Sequence, residues 1–341
     1  FYSLATICIF LTITQTFFRN NLFTLCHLIY TDTFYMKRKW IRWVSWILLT
    51  PIILFVILMV LLYVPPVQNL LRREVTAYAS KATGMQIQVE RIDLRFPLNL
   101  LVRGVEVIQQ PDTLLSLESL NVRVQAWPLI KGKVEVDEVT LSRVAVNSAD
   151  LMEGMKIKGV LGRFFLQSHG VDLSNELAVI NQVELSDTHM QLLMNDTTTT
   201  PKDTTASAPI NWKVALHQLK LKNVSFSMQL PADSMRMTAH IGEAAINNAQ
   251  ADLKNQYYDL KKFLLSGTSA SYDTGTAQPT EGFDASHIAV RDIRIALDSL
   301  LYKGRDMNAV IREFTMNERS GLSVTALTGR AYSNDSVISV P

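Results

Sequence analysis

Histidine is the first residue type to test for chemistry, because imidazole serves as general base, proton carrier and metal ligand near neutral pH. The chain has six, at His27, His169, His189, His217, His240 and His287. The last five are isolated, with no HExxH spacing and no cysteine partners, so nothing supports a zinc site. His169-Gly170-Val171-Asp172 sets an imidazole near a carboxylate, but that combination is too common to mark a triad and reads as a surface loop. No G-x-S-x-G, P-loop or G-x-G-x-x-G occurs. The expectation is therefore no catalytic, metal or cofactor-binding residues, and no enzyme activity on these residues.

Apolar spacing is more informative. From Trp40 to Val64 the sequence is almost continuously apolar, broken after Ile47 only by Thr50 and Pro51. About 20 such residues cross a hydrocarbon core of ~30 Å, which predicts a transmembrane helix. Lys37, Arg38, Lys39 and Arg42 keep its start cytoplasmic, Trp40, Trp43 and Trp46 anchor at the interface, and Leu54, Leu58 and Leu62 lie in the lipid. Tyr63-Val64-Pro65-Pro66 is not a small-residue cleavage site, so the helix is expected to stay attached and the remainder to be exported.

Net charge is +2, with both signs scattered and no basic block after the anchor, which argues against a nucleic-acid partner. Both cysteines, Cys8 and Cys26, precede the anchor, so the exported part has no disulfide and no cysteine-based metal site. That is compatible with a bacterial periplasm. Met36 reads as a start, which makes residues 1–35 non-native upstream sequence or an extra apolar segment. Ser336 to Pro341 stops within an alternating pattern, so the chain reads as part of something longer.

After the basic start and anchor (36–64), residues 65–84 carry apolar side chains at three- and four-residue intervals, at Val67, Leu70, Leu71, Val75, Tyr78 and Ala82. This predicts an amphipathic helix capped by Gly84, covering the end of a β core or lying on a membrane surface. From Met85 the period becomes two. An eight-residue pattern recurs, with two apolar alternations separated by a polar pair. It occurs around Arg103-Gly104, Ser142-Arg143, Ser186-Asp187, Lys222-Asn223, Lys261-Lys262 and Arg291-Asp292. The odd offset of five would place the two apolar pairs on opposite faces. A β-bulge at each centre restores them to one face and bends the strand. Lys222, Lys261 and Lys262 then fall at bends, as solvated charges or as contacts to lipid phosphates. Residues 195–209 are Thr-rich and polar, a loop or a linker between β regions 85–194 and 210–341.

The order of features resembles the AsmA-like superfamily, and within it the TamB family of inner-membrane translocation-and-assembly-module subunits. The resemblance is carried by Ile87-Gln88-Val89-Glu90-Arg91-Ile92-Asp93-Leu94, Leu100-Leu101-Val102-Arg103-Gly104-Val105-Glu106-Val107, Asp112 to Val124, Trp127 to Val136 and Ile311 to Leu322. It implies a mainly β protein: a transmembrane helix and short amphipathic helix, then an elongated, curved β-sheet groove with an apolar concave side. It also implies single-pass residence in the inner membrane of a Gram-negative bacterium, with the bulk in the periplasm. The implied role is outer-membrane biogenesis, by moving phospholipid between membranes or assisting outer-membrane protein assembly. The family's outer-membrane barrel partner (TamA-like) is met through a region missing from this chain.

A lipid in transit exposes methylenes worth ~0.8 kcal/mol each, which an apolar trough would shield. Candidate lipid-facing residues are Val102, Val105, Val139, Leu141, Val144, Leu219, Leu221, Val224 and Phe226. About 15–20 strands at ~4.8 Å spacing would extend ~70–95 Å. Periodicity alone favours a closed β-sandwich, in which alternating apolar residues pack against a second sheet, and only the resemblance favours an open groove. A membrane-tethered sandwich, or an enzyme whose catalytic domain lies past residue 341, therefore stays open.

Overall fold

The computed structural model describes residues 63–341 except 97, 110, 126, 129–134, 149–153, 173–175, 195–210, 335–336 and 340–341, together with helical positions Trp46, Leu49, Thr50, Pro51, Ile53, Leu54, Val56, Ile57, Val60 and Leu61. The chain divides into two units, Phe1–Leu61 and Leu62–Pro341. In the first, Trp46 and Leu54 are helical and exposed, as are their described apolar neighbours. Trp40, Trp43, Leu58, Leu62 and the expected segment 1–35 lie outside the described residues. Among the described residues no helix is long and apolar enough to cross a membrane.

The second unit begins with helix α1 (Pro65–Thr83). Two prolines occupy its first positions, where their missing N–H groups cost nothing. Gly84 ends it in the left-handed conformation (φ 70°) and donates its N–H to Ser80 O at 3.0 Å, as the sequence predicts.

Thirteen strands follow in one open, curled sheet whose spatial order is the chain order. They are β1 (Gln86–Arg95), β2 (Asn99–Gln109), β3 (Asp112–Val124), β4 (Val136–Asn147), β5 (Met155–Asp172), β6 (Leu177–Met194), β7 (Lys213–Leu230), β8 (Met235–Asp252), β9 (Tyr257–Asp273), β10 (His287–Lys303), β11 (Asp306–Glu318), β12 (Ser323–Ser333) and β13 (Ile338–Ser339). Neighbours are antiparallel except β6 and β7, which pair in parallel. The Thr-rich segment 195–209 lies outside the described residues, but the strands on either side of it belong to one continuous sheet.

Among the described residues the strands number thirteen, against about 15–20 expected, and they are longer than expected. β5 to β10 run 17 or 18 residues, against 10 to 13 in β1 to β4. At ~3.3 Å per residue that is ~60 Å of strand against ~35–40 Å. The expected loop at His169 to Asp172 is instead the end of β5. Gly170 pairs with Val179 and Val171 with Ala178, beyond a register shift at Ser168.

The packing differs from that of a sandwich. Only Leu114, Leu117, Ala178, Ala244, Ala296 and Ala309 are buried apolar residues among the described ones, and no large side chain is fully buried. A second sheet packed ~10 Å away would bury whole rows of leucine and valine.

Candidate functional site

Cross-strand partners share a face, so the pairing register identifies which side chains lie together. One row runs Leu94, Leu100, Val122, Val139, Leu166, Val183, Leu219, Ile246, Phe263, Leu297 and Ile311, crossing β1 to β11 without a polar residue. The next runs Ile92, Val102, Leu120, Leu141, Phe164, Leu185, Leu221, Ala244, Leu265, Ile295 and Phe314. A third holds Val89, Val105, Leu117, Val144, Leu161, Thr188, Val224 and Ile241. The fourth contains Val107, Leu115, Val146, Met190 and Phe226. All nine candidate residues fall on these four rows: Val139 and Leu219 on the first, Val102, Leu141 and Leu221 on the second, Val105, Val144 and Val224 on the third, Phe226 on the fourth.

The apolar side chains that sequence reasoning missed were within its reach. Ile87, Val89, Ile92 and Leu94 on β1 fit the eight-residue pattern, as do Leu115, Leu117, Leu120 and Val122 on β3. On β5 the match is spoiled by Gly159, although Leu161, Phe164 and Leu166 lie on the rows.

What joins the two halves of each pattern is a line of left-handed residues across the sheet. Gly104 (φ 59°), Arg143 (47°), Asp187 (52°), Asn223 (53°) and Asp292 (55°) each occupy the second place of a predicted polar pair. Gly267 (59°) continues the line in β9. The remaining pair, Lys261-Lys262, lies off this line, beside a single left-handed residue of the neighbouring strand. There Asn248 (56°) of β8 lies between the pairs Asn247–Lys262 and Ala249–Leu260.

A bulge with an inserted residue is not the device in β1 to β9. The register on either side of the line is unchanged, for example Val89–Val105 and Arg91–Arg103, or Leu117–Val144 and Ser119–Ser142. Adjacent strands change face at the same level, so no extra residue is required. Among the described residues, true register shifts at this level appear where β10 meets β9 and β11 and where β11 meets β12.

Small residues face the line where there is no room. A Cβ on Gly104 would lie 2.6 Å from Glu90 Cβ, and one on Gly162 2.7 Å from Asp187 Cβ. Polar pairs stitch it laterally. Asn223 Nδ2 donates to Asp187 Oδ1 at 2.8 Å, Asn317 Nδ2 to Asp292 Oδ2 at 3.2 Å, and Arg143 pairs with Glu118.

Hydroxyls on the apolar face are satisfied internally. Thr188 Oγ1 donates to Ser186 O at 3.2 Å and Thr268 Oγ1 to Ser266 O at 3.3 Å, and both residues are buried. The opposite face is polar and cross-linked. Arg123 meets Glu138 at 3.1 Å, Lys220 meets Glu184 at 3.8 Å, Ser225 Oγ lies 2.9 Å from His240 Nδ1, and Thr238 Oγ1 lies 2.7 Å from Ser271 Oγ. Lys261 bonds Asp259 at 2.8 Å, which raises the lysine pKa. Lys222 and Lys262 are exposed.

Among the described residues no three His, Cys, Asp or Glu side chains gather to hold a metal ion. His287 sits 3.0 Å from Asp284, and His189 Nε2 2.9 Å from Gln191 Nε2. The carboxyl of Asp284 is held well below its usual range, chiefly by the Thr280 and Ser286 amides and then by His287. What the arrangement offers chemically is an apolar strip, half-buried by its own side chains and, among the described residues, roofed by no second sheet. No protein-family model matches the chain, and no curated protein matches it.

Proposed function

We propose that this chain is a membrane-anchored member of the AsmA-like superfamily, close to the TamB family, whose curled sheet is a groove for the acyl chains of phospholipids. The single observation carrying this reading is the apolar face, unbroken over eleven strands and uncovered by a second sheet. Ten inter-strand spacings of ~4.8 Å make it about 50 Å long. Soluble proteins rarely expose contiguous apolar patches above a few hundred Å². A face this size calls for an apolar guest, and an acyl chain lying across the rows exchanges contact with water for contact with Leu, Val, Ile and Phe at ~0.8 kcal/mol per methylene.

In this reading the apolar face is the inner wall of the curl, and residues 40–64 hold it to an inner membrane with the sheet in the periplasm. It serves outer-membrane biogenesis by carrying phospholipid between membranes, by assisting outer-membrane protein assembly, or both. A TamA-like barrel partner would be met through another region. The polar backs of the strands keep the groove soluble from outside.

Photocrosslinking amino acids at Val139 and Leu141 of β4 and at Leu221 and Phe226 of β7 test the proposal in cells. Phospholipid adducts at all four are expected, and none from Lys220 on the other face of β7. Lipid-free protein at all four positions sinks the reading.

A further inference from the structure

An amphipathic helix on a globular core normally turns its apolar stripe inward. Helix α1 does the reverse. Gln68, Arg72, Thr76 and Ser80, spaced four apart, form its sheet-facing stripe. Gln68 Nε2 donates to Leu94 O at 2.9 Å, and Arg72 Nη1 donates to Val89 O at 3.1 Å and Glu90 O at 2.8 Å. Ser80 Oγ accepts from the Ile87 N–H at 3.0 Å. These bonds engage four backbone groups of β1, which among the described residues is the first strand of the sheet, where unpaired groups would otherwise recruit another strand. Much of the apolar stripe is left outside: Leu70 is 59% exposed, Val75 53% and Tyr78 61%, while Val67 is half-buried. Phe96, in the β1–β2 turn, is 85% exposed, and its ring lies 6.5 Å from that of Tyr63, just before the helix.

We propose that α1 is a seat, its polar stripe bonded to the sheet edge and its apolar stripe, with Phe96, resting in the headgroup–acyl boundary of a bilayer. The occupant follows from the adjoining chain. Leu54, Val56, Ile57, Val60 and Leu61 are helical, apolar and exposed, and Leu61 is four residues from Pro65. The inference rests on reading 40–64 as an anchor, which delivers α1 to the lipid surface at its first turn. Leu70, Val75 and Tyr78 on the helix and Phe96 in the adjoining turn are side chains that an interfacial helix uses, and exposed Arg73, Glu74 and Lys81 lie around them. Seated this way, the apolar rows begin at the bilayer, on β1.

The test uses the full chain, with Cys8 and Cys26 replaced by serine, in vesicles of phosphatidylethanolamine and phosphatidylglycerol. A nitroxide is placed at Leu70→Cys, Tyr78→Cys, Phe96→Cys or, as reference, Phe283→Cys in the β9–β10 connection. Spin-label collision rates are read with oxygen and with a water-soluble nickel complex. Loss of nickel collisions with retained oxygen collisions at 70, 78 and 96, but not at 283, supports the seat. Nickel collisions at 70 and 78 equal to those at 283 overturn it. Protection from both reagents also overturns it, because a protein surface then covers the stripe.

Leu70→Glu with Tyr78→Glu, β content checked by circular dichroism, should restore nickel collisions at 96; unchanged protection refutes seating through α1. Crosslinkers at Leu221 and Phe226 in the same vesicles separate the two readings. Adducts without depth at 70 and 78 overturn the seat alone, and depth without adducts overturns the groove alone.

Discussion

The two faces of the sheet share every strand and every backbone hydrogen bond, yet differ in kind. Glu184 and Leu185 are adjacent in β6. The first reaches Lys220 on the neighbouring strand, while the second sits in a row of eleven apolar residues. The polar face needs nothing beyond water and its own cross-strand pairs. Among the described residues the apolar face has no such cross-strand polar pairs and rests on lateral contact within its rows. In a sandwich, half of each strand's side chains stabilise the fold by burial. Here those side chains are half-buried by lateral contact with their row neighbours, which leaves them available to another molecule.

The largest way to break this comparison is at the line where strands change face. Gly162→Val adds a β-branched residue favoured in strands, but its Cβ would meet Asp187 Cβ at 2.7 Å and Asp187 O at 3.0 Å. Overpacking of this kind costs about 2–3 kcal/mol, readable as a lower urea midpoint. A stability equal to wild type would mean that the line yields freely.

A smaller effect sharpens the contrast. Leu185→Glu should abolish lipid adducts from crosslinkers at the neighbouring Leu221, at a stability cost of only about 1–2 kcal/mol, because no second layer closes over it. Glu184→Leu should leave the adducts intact and alter stability by less than about 0.5 kcal/mol, the usual worth of an exposed ion pair. Equal effects from both substitutions would abolish the distinction between the faces.

The smallest effect concerns neither face. The carboxyls of Asp252, Asp284 and Glu318, at strand junctions, all have lowered pKa values. Hydrogen bonds from Asn255, from the Thr280 and Ser286 amides, and from Ser320 respectively are the main causes. Groups lowered in this way stabilise the fold above their unfolded pKa of about 4 and lose that contribution as pH falls through the folded value. Amide exchange in these turns should therefore be constant from pH 8 to 6, after correction for intrinsic rates, and rise below about pH 4. Acceleration already at pH 6 would show that these carboxyls are not the cause.

The apolar rows were legible because alternation and its five-residue offset depend only on local backbone geometry. The left-handed sites were legible at Gly104, Asp187, Asn223 and Asp292, since Gly, Asn and Asp tolerate that conformation. Arg143 was found by position alone. What alternation does not encode is the object facing the apolar side, so sandwich and open sheet look identical in sequence. Nor does it reveal that neighbouring strands turn at a common level, which removed the need for inserted residues. For α1 the apolar stripe was legible at Leu70, Val75 and Tyr78, but its direction depends on backbone partners in β1 that no periodicity reports.

The parallel pairing of β6 with β7 has a consequence for assembly. Where tight hairpin turns join antiparallel strands, they dictate alignment before side chains meet. Parallel strands cannot be joined by such a turn, so at this seam alignment must come from matching across it. Val183 against Leu219, Leu185 against Leu221 and the Asn223–Asp187 bond supply that match. A two-residue slip would keep grease against grease but part the amide from its carboxylate. Together with the Glu184–Lys220 ion pair on the other face, that bond acts as a dowel between two hairpin stacks.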